Sequence, residues 1–113
     1  MTCLFCRIVN KEVPARILFE NDDVLAFADL SPQAPVHALV IPKRHIDSVD
    51  GSSDSDALLL GKVMRAARQV ARDAGLGDSG NRLVANNGEG AGQSVLHLHV
   101  HVLGGRPLAW PPG

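Results

Sequence analysis

Residues 96–103 are strand-like, and polar and apolar residues alternate from 96 to 102. Leu96, Leu98, Val100 and Val102 occupy one parity, and His97, His99 and His101 the other. Successive side chains of a strand point to opposite faces, so this parity predicts a strand with one apolar face and one histidine face. Shorter β-like runs at 16–20 and 24–28 flank Asn21-Asp22-Asp23, residues that suit a hairpin turn. A third strand is predicted at 37–41, ended by Pro42, and a fourth at 82–86. Between them the period changes. Leu60, Val63, Met64, Ala67, Val70, Ala71 and Ala74 recur at three/four spacing, which predicts one long helix over 56–74 with this stripe as core. Gly75 suits the position just past its end. The Ser/Asp/Gly-rich stretch 47–56 reads as a surface loop leading to the helix cap. Residues 29–35 contain two prolines and read as a loop, and 2–10 as a short helical turn.

The strands come as hairpin pairs rather than βαβ units. The predicted class is therefore α+β: a five-stranded, mostly antiparallel sheet with one long helix and one short N-terminal helix. Leu98, Val100 and Val102 should face the helix layer, and the histidines the opposite, ligand-binding side.

Length and charge narrow the function. At 113 residues, the chain reads as one domain over 1–113. It is 45% hydrophobic and 20% charged, with a formal net charge of −1 and its basic residues scattered, so a nucleic-acid-binding surface has no support. No apolar run approaches the roughly 18 residues of a membrane span, and the N-terminus lacks a secretory pattern. The expected partners therefore include neither nucleic acid nor membrane, and the expected compartment is the cytoplasm.

Five histidines are present in all, three of them in the alternating segment. Three uses compete. A metal site built from all three is disfavoured by reach: on a regular strand His97 and His101 lie about 13 Å apart, whereas zinc ligand atoms must come within about 4 Å of one another. The histidines could instead be satisfied polar residues of a half-buried strand. The third use is a relay, with one imidazole as nucleophile and its neighbours orienting it and contacting an anion. The preceding loop, Asn86-Asn87-Gly88-Glu89-Gly90-Ala91-Gly92-Gln93-Ser94, has glycines at alternate positions and adds Gln93 and Ser94 as polar donors. By itself it reads as a flexible connection; beside the histidines it reads as a phosphate cradle.

Cys3-Leu4-Phe5-Cys6 holds both cysteines of the chain. In a cytosolic protein this spacing favours metal or redox chemistry over a structural disulfide, and no βαβ pattern supports a thioredoxin-like role. Two thiolates are half of a tetrahedral zinc site; the other reading is a pair of small, partly buried thiols.

The segment from His97 to Leu103 resembles the motif of the histidine triad (HIT) family of nucleotide hydrolases and transferases. Asp29-Leu30-Ser31-Pro32-Gln33-Ala34-Pro35, His37, Val40-Ile41-Pro42-Lys43-Arg44-His45, Leu103-Gly104-Gly105-Arg106 and Trp110-Pro111-Pro112-Gly113 resemble its HINT branch. The resemblance implies that His99 is the nucleophile attacking an α-phosphorus, with a covalent nucleotidyl-histidine later hydrolysed by water. It implies that His101 contacts phosphate or ribose-side groups, and that His97 and His37 orient the site. Asp29 would hold the ribose hydroxyls, and Asn86, Gly92 and Ser94 would contact phosphate and leaving group. Leu30, Gln93 and Trp110 complete the expected nucleotide-binding set. It further implies a structural zinc on Cys3, Cys6, His45 and His97, and no cofactor for the chemistry itself. The implied substrate is a purine nucleotide conjugate of AMP.

The same resemblance implies a homodimer, with the tail 106–113 reaching its interface. The prolines of this tail exclude helix or central strand. Trp110 is the only tryptophan, and aromatics are enriched at interfaces; otherwise it covers its own core. The expected activity is that of a purine nucleoside phosphoramidase. A dinucleoside polyphosphate hydrolase and a nucleotide-binding scaffold are the alternatives.

Overall fold

The computed structural model describes residues 3–113. Helix α1 (Leu4–Val9) is followed by strands β1 (Ile17–Glu20), β2 (Val24–Ala28) and β3 (Val36–Pro42). Helix α2 (Ala57–Asp73) and strands β4 (Asn81–Val84) and β5 (Val100–Gly104) complete the chain. The sheet order is β1-β2-β3-β5-β4, and every pairing is antiparallel. The expected α+β class is thus observed, with the long helix and the short one; Thr2, in the expected first helical turn, lies outside the described residues.

Local chemistry explains the joints. Asn21 Oδ1 accepts the N–H groups of Asp23 and Val24, both at 2.9 Å, and so folds the β1–β2 hairpin. Asp56, in a 3₁₀ turn leading into α2, accepts the Ser53 N–H at 2.9 Å and pairs with Arg44. Past the other end, Gly75 sits at φ +82°. Its N–H reaches the Arg72 carbonyl and the Leu76 N–H reaches that of Ala71, which satisfies the last helical carbonyls and drives Leu76 into the core.

The central strands are covered on both faces. Val24, Ala26, Ala38, Val40, Leu98, Val100 and Val102 pack with the Val63, Ala66, Ala67, Val70 and Ala71 face of α2. Leu25, Phe27, Leu39 and Ile41 point the other way, onto Phe5 and Ile8 of α1. Two details of the expected pattern change. On α2, Met64 and Ala74 are exposed and Ala66 is buried in their place, because a stripe centred on positions 63, 67 and 70 turns residue 64 outward. The last strand begins only at Val100, and Leu96 is exposed rather than on the apolar face. Upstream, the Leu98 N–H leaves the ladder and donates to the Ile46 carbonyl.

Candidate active site and metal-ligand cluster

His97 and His99 therefore lie on the extended approach to β5, and only His101 within it. Alternation survives in this extended backbone, so all three imidazoles sit on the α1 side of the sheet. There they diverge into two groups.

His97 turns toward the N-terminus and is fully buried. The Cys3 Sγ caps α1 by accepting the Cys6 N–H at 3.4 Å, which sets the two sulfurs one helical turn apart. His97 Nδ1 lies 3.4 Å from Cys3 Sγ, 3.5 Å from Cys6 Sγ and 3.1 Å from His45 Nδ1. His45 Nδ1 is 3.3 Å from Cys6 Sγ. One ligand atom from each of the four residues lies within 4.8 Å of every other.

Tautomers follow from the outer hydrogen bonds. His97 Nε2–H donates to the Pro42 carbonyl and His45 Nε2–H to Asp47 Oδ1, each at 2.8 Å. Both Nδ1 atoms then present lone pairs inward. Burial, the largest cause, holds His97 below the ordinary imidazole pKa and so neutral. Burial, then the Cys3 sulfur, pushes the Cys6 thiol up to about 11. Only two weak S–H donors serve four converging soft atoms. A tetrahedral zinc with ordinary bonds has edges of about 3.3 Å between nitrogens and about 3.6 Å between nitrogen and sulfur. The observed separations fit that set closely. This cluster can coordinate a metal ion, and a divalent ion replacing both thiol protons would leave the net charge unchanged.

His99 faces the other way. Its Nδ1–H donates to the His97 carbonyl at 2.8 Å, which in the neutral imidazole makes Nε2 the lone-pair nitrogen. Beyond it lies a cavity of about 240 Å³ lined by Leu4, Phe5, Phe27, Asp29, Leu30 and Ser94 among others, with His99 and His101 in its wall. The Phe5 ring meets His99 edge-on at 5.2 Å. A larger groove of about 740 Å³ runs along the outer face of α2, but no cluster of histidine, cysteine or carboxylate opens into it. Size alone does not identify the site; convergent chemistry does.

Next to His99, the Gln33 N–H donates to His37 Nδ1 at 3.0 Å, which places the other proton on His37 Nε2. That proton faces His101 Nδ1 at 2.8 Å, with Asp29 Oδ2 at 3.4 Å. His101 must then carry its own proton on Nε2, as a donor for an anion. Burial first, then His99 and His37, holds its pKa below the ordinary value.

The remaining expected site residues divide. Asp29 and Ser94 reach the cavity, and Leu30 forms its rim at 95% exposure. Asp29 Oδ1 also accepts the Ser31 N–H at 2.8 Å. Asn86 approaches Gly92, which adopts φ +92°. Gln93 is buried with its amide committed: it donates to the Asp47 and Val95 carbonyls at 2.7 and 3.1 Å and accepts the Gly88 N–H at 2.8 Å. It is not a free donor for a ligand. Trp110 is 83% exposed and does not line this cavity, so it covers no core of its own. Phe5 and Asp47 escaped the sequence reading. A residue two beyond His45 was the available signal for Asp47, and an aromatic between the cysteines the signal for Phe5.

Residues 10–108 match the HIT domain. The chain belongs to the HIT family. It is 50% identical over 110 residues to an uncharacterized HIT-like protein of Synechocystis sp., covering 97% of this chain and 96% of that one. A HIT family hydrolase from Legionella pneumophila Philadelphia 1 superposes with a TM-score of 0.97 at 47% identity, over 99% of this chain and 100% of that one. A histidine triad nucleotide-binding protein from Candida albicans gives a TM-score of 0.82 at 28% identity, over 97% and 83%. Among the described residues of this HIT protein, no helix is long and apolar enough to cross a membrane.

Proposed function

We propose that this HIT protein is a hydrolase of nucleotidyl conjugates, specifically a purine nucleoside phosphoramidase of the HINT branch acting through His99. The observation that carries this reading is the orientation of His99: its Nδ1–H is held by the His97 carbonyl, which turns Nε2, the lone-pair nitrogen of the neutral ring, beside an apolar cavity. The apolar wall suits a purine, and Asp29 at the cavity edge suits the ribose hydroxyls. His101 Nε2–H, the Ser94 hydroxyl and the Gly92 region suit the phosphate, where negative charge builds. Leu30 would flank the base, and Asn86 would support the phosphate loop.

In the first step the His99 Nε2 lone pair attacks the α-phosphorus and the P–N bond breaks. The leaving nitrogen takes a proton from solvent and departs as an amine, and AMP remains on His99. Water then attacks the phosphorus and returns a proton to solvent, the P–N(His) bond breaks, and AMP and the free imidazole are restored. His37, held by the Gln33 N–H, fixes the tautomer of His101 throughout.

Cys3, Cys6, His45 and His97 would hold zinc as a structural cross-link that makes no bond to the substrate. The reading includes a cytoplasmic homodimer whose tail, residues 106–113 with Trp110, reaches the partner. The exposed apolar Leu58 and Met64 on α2 and the exposed Trp110 support it.

The test is release of AMP from an adenosine 5′-phosphoramidate by wild type and by His99→Ala. Loss of a covalent nucleophile should reduce kcat by at least about 10⁴-fold. Equal rates in the two proteins would overturn the assignment. AMP binding without release from either would favour a nucleotide-binding scaffold.

A further inference from the structure

The two clusters are joined by two short chains of hydrogen bonds. The first runs through one residue: His97 offers Nδ1 to the Cys3/Cys6/His45 cluster, while its own carbonyl holds the Nδ1–H of His99 at 2.8 Å. The second runs through Asp47 and Gln93. The Asp47 carboxylate takes the His45 Nε2–H, and its carbonyl takes the Gln93 side-chain N–H at 2.7 Å. The other end of that amide accepts the Gly88 N–H at 2.8 Å, while the Gln93 N–H donates to the Gly88 carbonyl at 3.0 Å. Gly88 opens the glycine loop, whose two ends, Gly88 and Gly92, both adopt positive φ. Within the loop only the Ala91 and Gly92 N–H groups bond back, to the Gly88 and Glu89 carbonyls, so the Gln93 contacts add the restraint at its Gly88 end.

We propose that Asp47 and Gln93 are positioning residues, and that with His97 they make zinc occupancy of the Cys3/Cys6/His45/His97 cluster set the geometry of both the nucleophile and the glycine loop. This rests on the reading of His99 as nucleophile and of the cluster as a zinc site. A ligand set whose outer hydrogen bonds end on solvent would be a simple staple. Here one outer bond ends on Asp47, whose carbonyl holds the Gln93 amide that clamps the glycine loop, and one ligand's backbone holds the nucleophile. Outer partners of metal-bound histidines change metal affinity by about 10–100-fold, so the connection works in both directions.

The experiment uses the whole chain, stripped by a chelator and titrated with Zn²⁺ alone. It reads zinc stoichiometry, the ¹⁵N tautomer signature of His99, amide hydrogen exchange over residues 88–92, and kcat and KM separately on the phosphoramidate. Zinc should bind one per chain, convert His99 to a single Nδ1–H tautomer, slow exchange in the loop, and raise kcat about tenfold. Failure to bind zinc overturns the proposal. So does stoichiometric binding that changes neither the tautomer nor the loop. If no form turns over substrate, the hydrolase reading fails, while tautomer and exchange still decide the coupling.

Variants separate the two arms. Gln93→Met keeps all four ligands; zinc should still fix His99 but no longer slow loop exchange. Asp47→Ala should weaken zinc about tenfold, and Asp47→Asn, which keeps an acceptor for His45, should restore it. Unchanged zinc affinity in Asp47→Ala, or a normal zinc response of the loop in Gln93→Met, would overturn the corresponding arm.

Discussion

Two histidine pairs on the same side of one sheet are set to opposite purposes by groups outside them, the Pro42 carbonyl and Asp47 carboxylate for one and the Gln33 N–H for the other. In the pair His45/His97 both Nε2–H groups are committed outward, so two lone pairs face one another at 3.1 Å with two sulfurs beside them. In the pair His37/His101 the Gln33 N–H occupies one outer nitrogen, so a proton lies between the rings at 2.8 Å. Asp29, His37 and His101 also offer ligand atoms close enough to one ion. Yet His37 Nε2 keeps its hydrogen as long as Gln33 donates to Nδ1, and a protonated nitrogen is no ligand. Ligand identity and distance thus leave both clusters eligible for a metal; the proton inventory favours only the first.

The contrast can be broken at its strongest point by removing the sulfurs. With free zinc at about a thousand times its dissociation constant, wild type should be stabilised by about 4 kcal/mol over the stripped protein. The double variant Cys3→Ser, Cys6→Ser should show no such difference in chemical denaturation. A retained zinc effect in that variant would mean that the second cluster, or another site, takes the ion.

A smaller effect is expected at the proton-filled pair. His37→Phe removes one buried neutral hydrogen bond to His101, about 1 kcal/mol, and should lower kcat/KM by roughly five- to tenfold without changing zinc stoichiometry. His37→Gln should recover part of the loss, because an amide N–H can still donate to His101 Nδ1. Equal activity in the two variants would show that the His101 tautomer is set elsewhere.

The smallest expected effect is on pH dependence. Burial depresses the His101 pKa in the folded protein, so between the folded and unfolded values the unfolded chain binds more protons. Stability should therefore fall as pH drops below the ordinary imidazole value near about 6.5. In zinc-free protein, His101→Asn should flatten part of that fall. An unchanged acid limb would assign it to other groups.

The parity of residues 96–102 was legible because alternation depends only on extended backbone, and it put three imidazoles on one side correctly. Where the strand starts was not, because the Leu98 N–H chooses the Ile46 carbonyl over a ladder partner, and that choice is made 52 residues away. The α2 stripe was legible except at Met64 and Ala74, which are exposed while Ala66 is buried, according to the line along which the helix meets the sheet. Gly75 was read correctly, since its requirement is local backbone geometry. Gln93 was not. A polar side chain in a glycine loop looks ligand-facing until its partner, the Asp47 carbonyl, is in place. Asp47 likewise matters through its contacts rather than its type. The division of five histidines between two clusters is written in the carbonyls of Pro42 and His97, the amide of Gln33 and the Asp47 carboxylate, partners that only the fold brings together.

Phe5 carries a consequence for how the chain is made. Its ring sits between the cysteines in sequence, meets both His97 and His99, and forms part of the cavity wall. Cys3 and His97, 94 positions apart, close the same region. The wall is therefore assembled from residues near position 5 and residues near position 100. A chain emerging from the ribosome without residues 97–101 has its N-terminal helix but nothing for that helix to close upon. Binding capacity should appear in a single step once residues 97–101 have emerged, and ligand should be unable to rescue any nascent chain that stops before them.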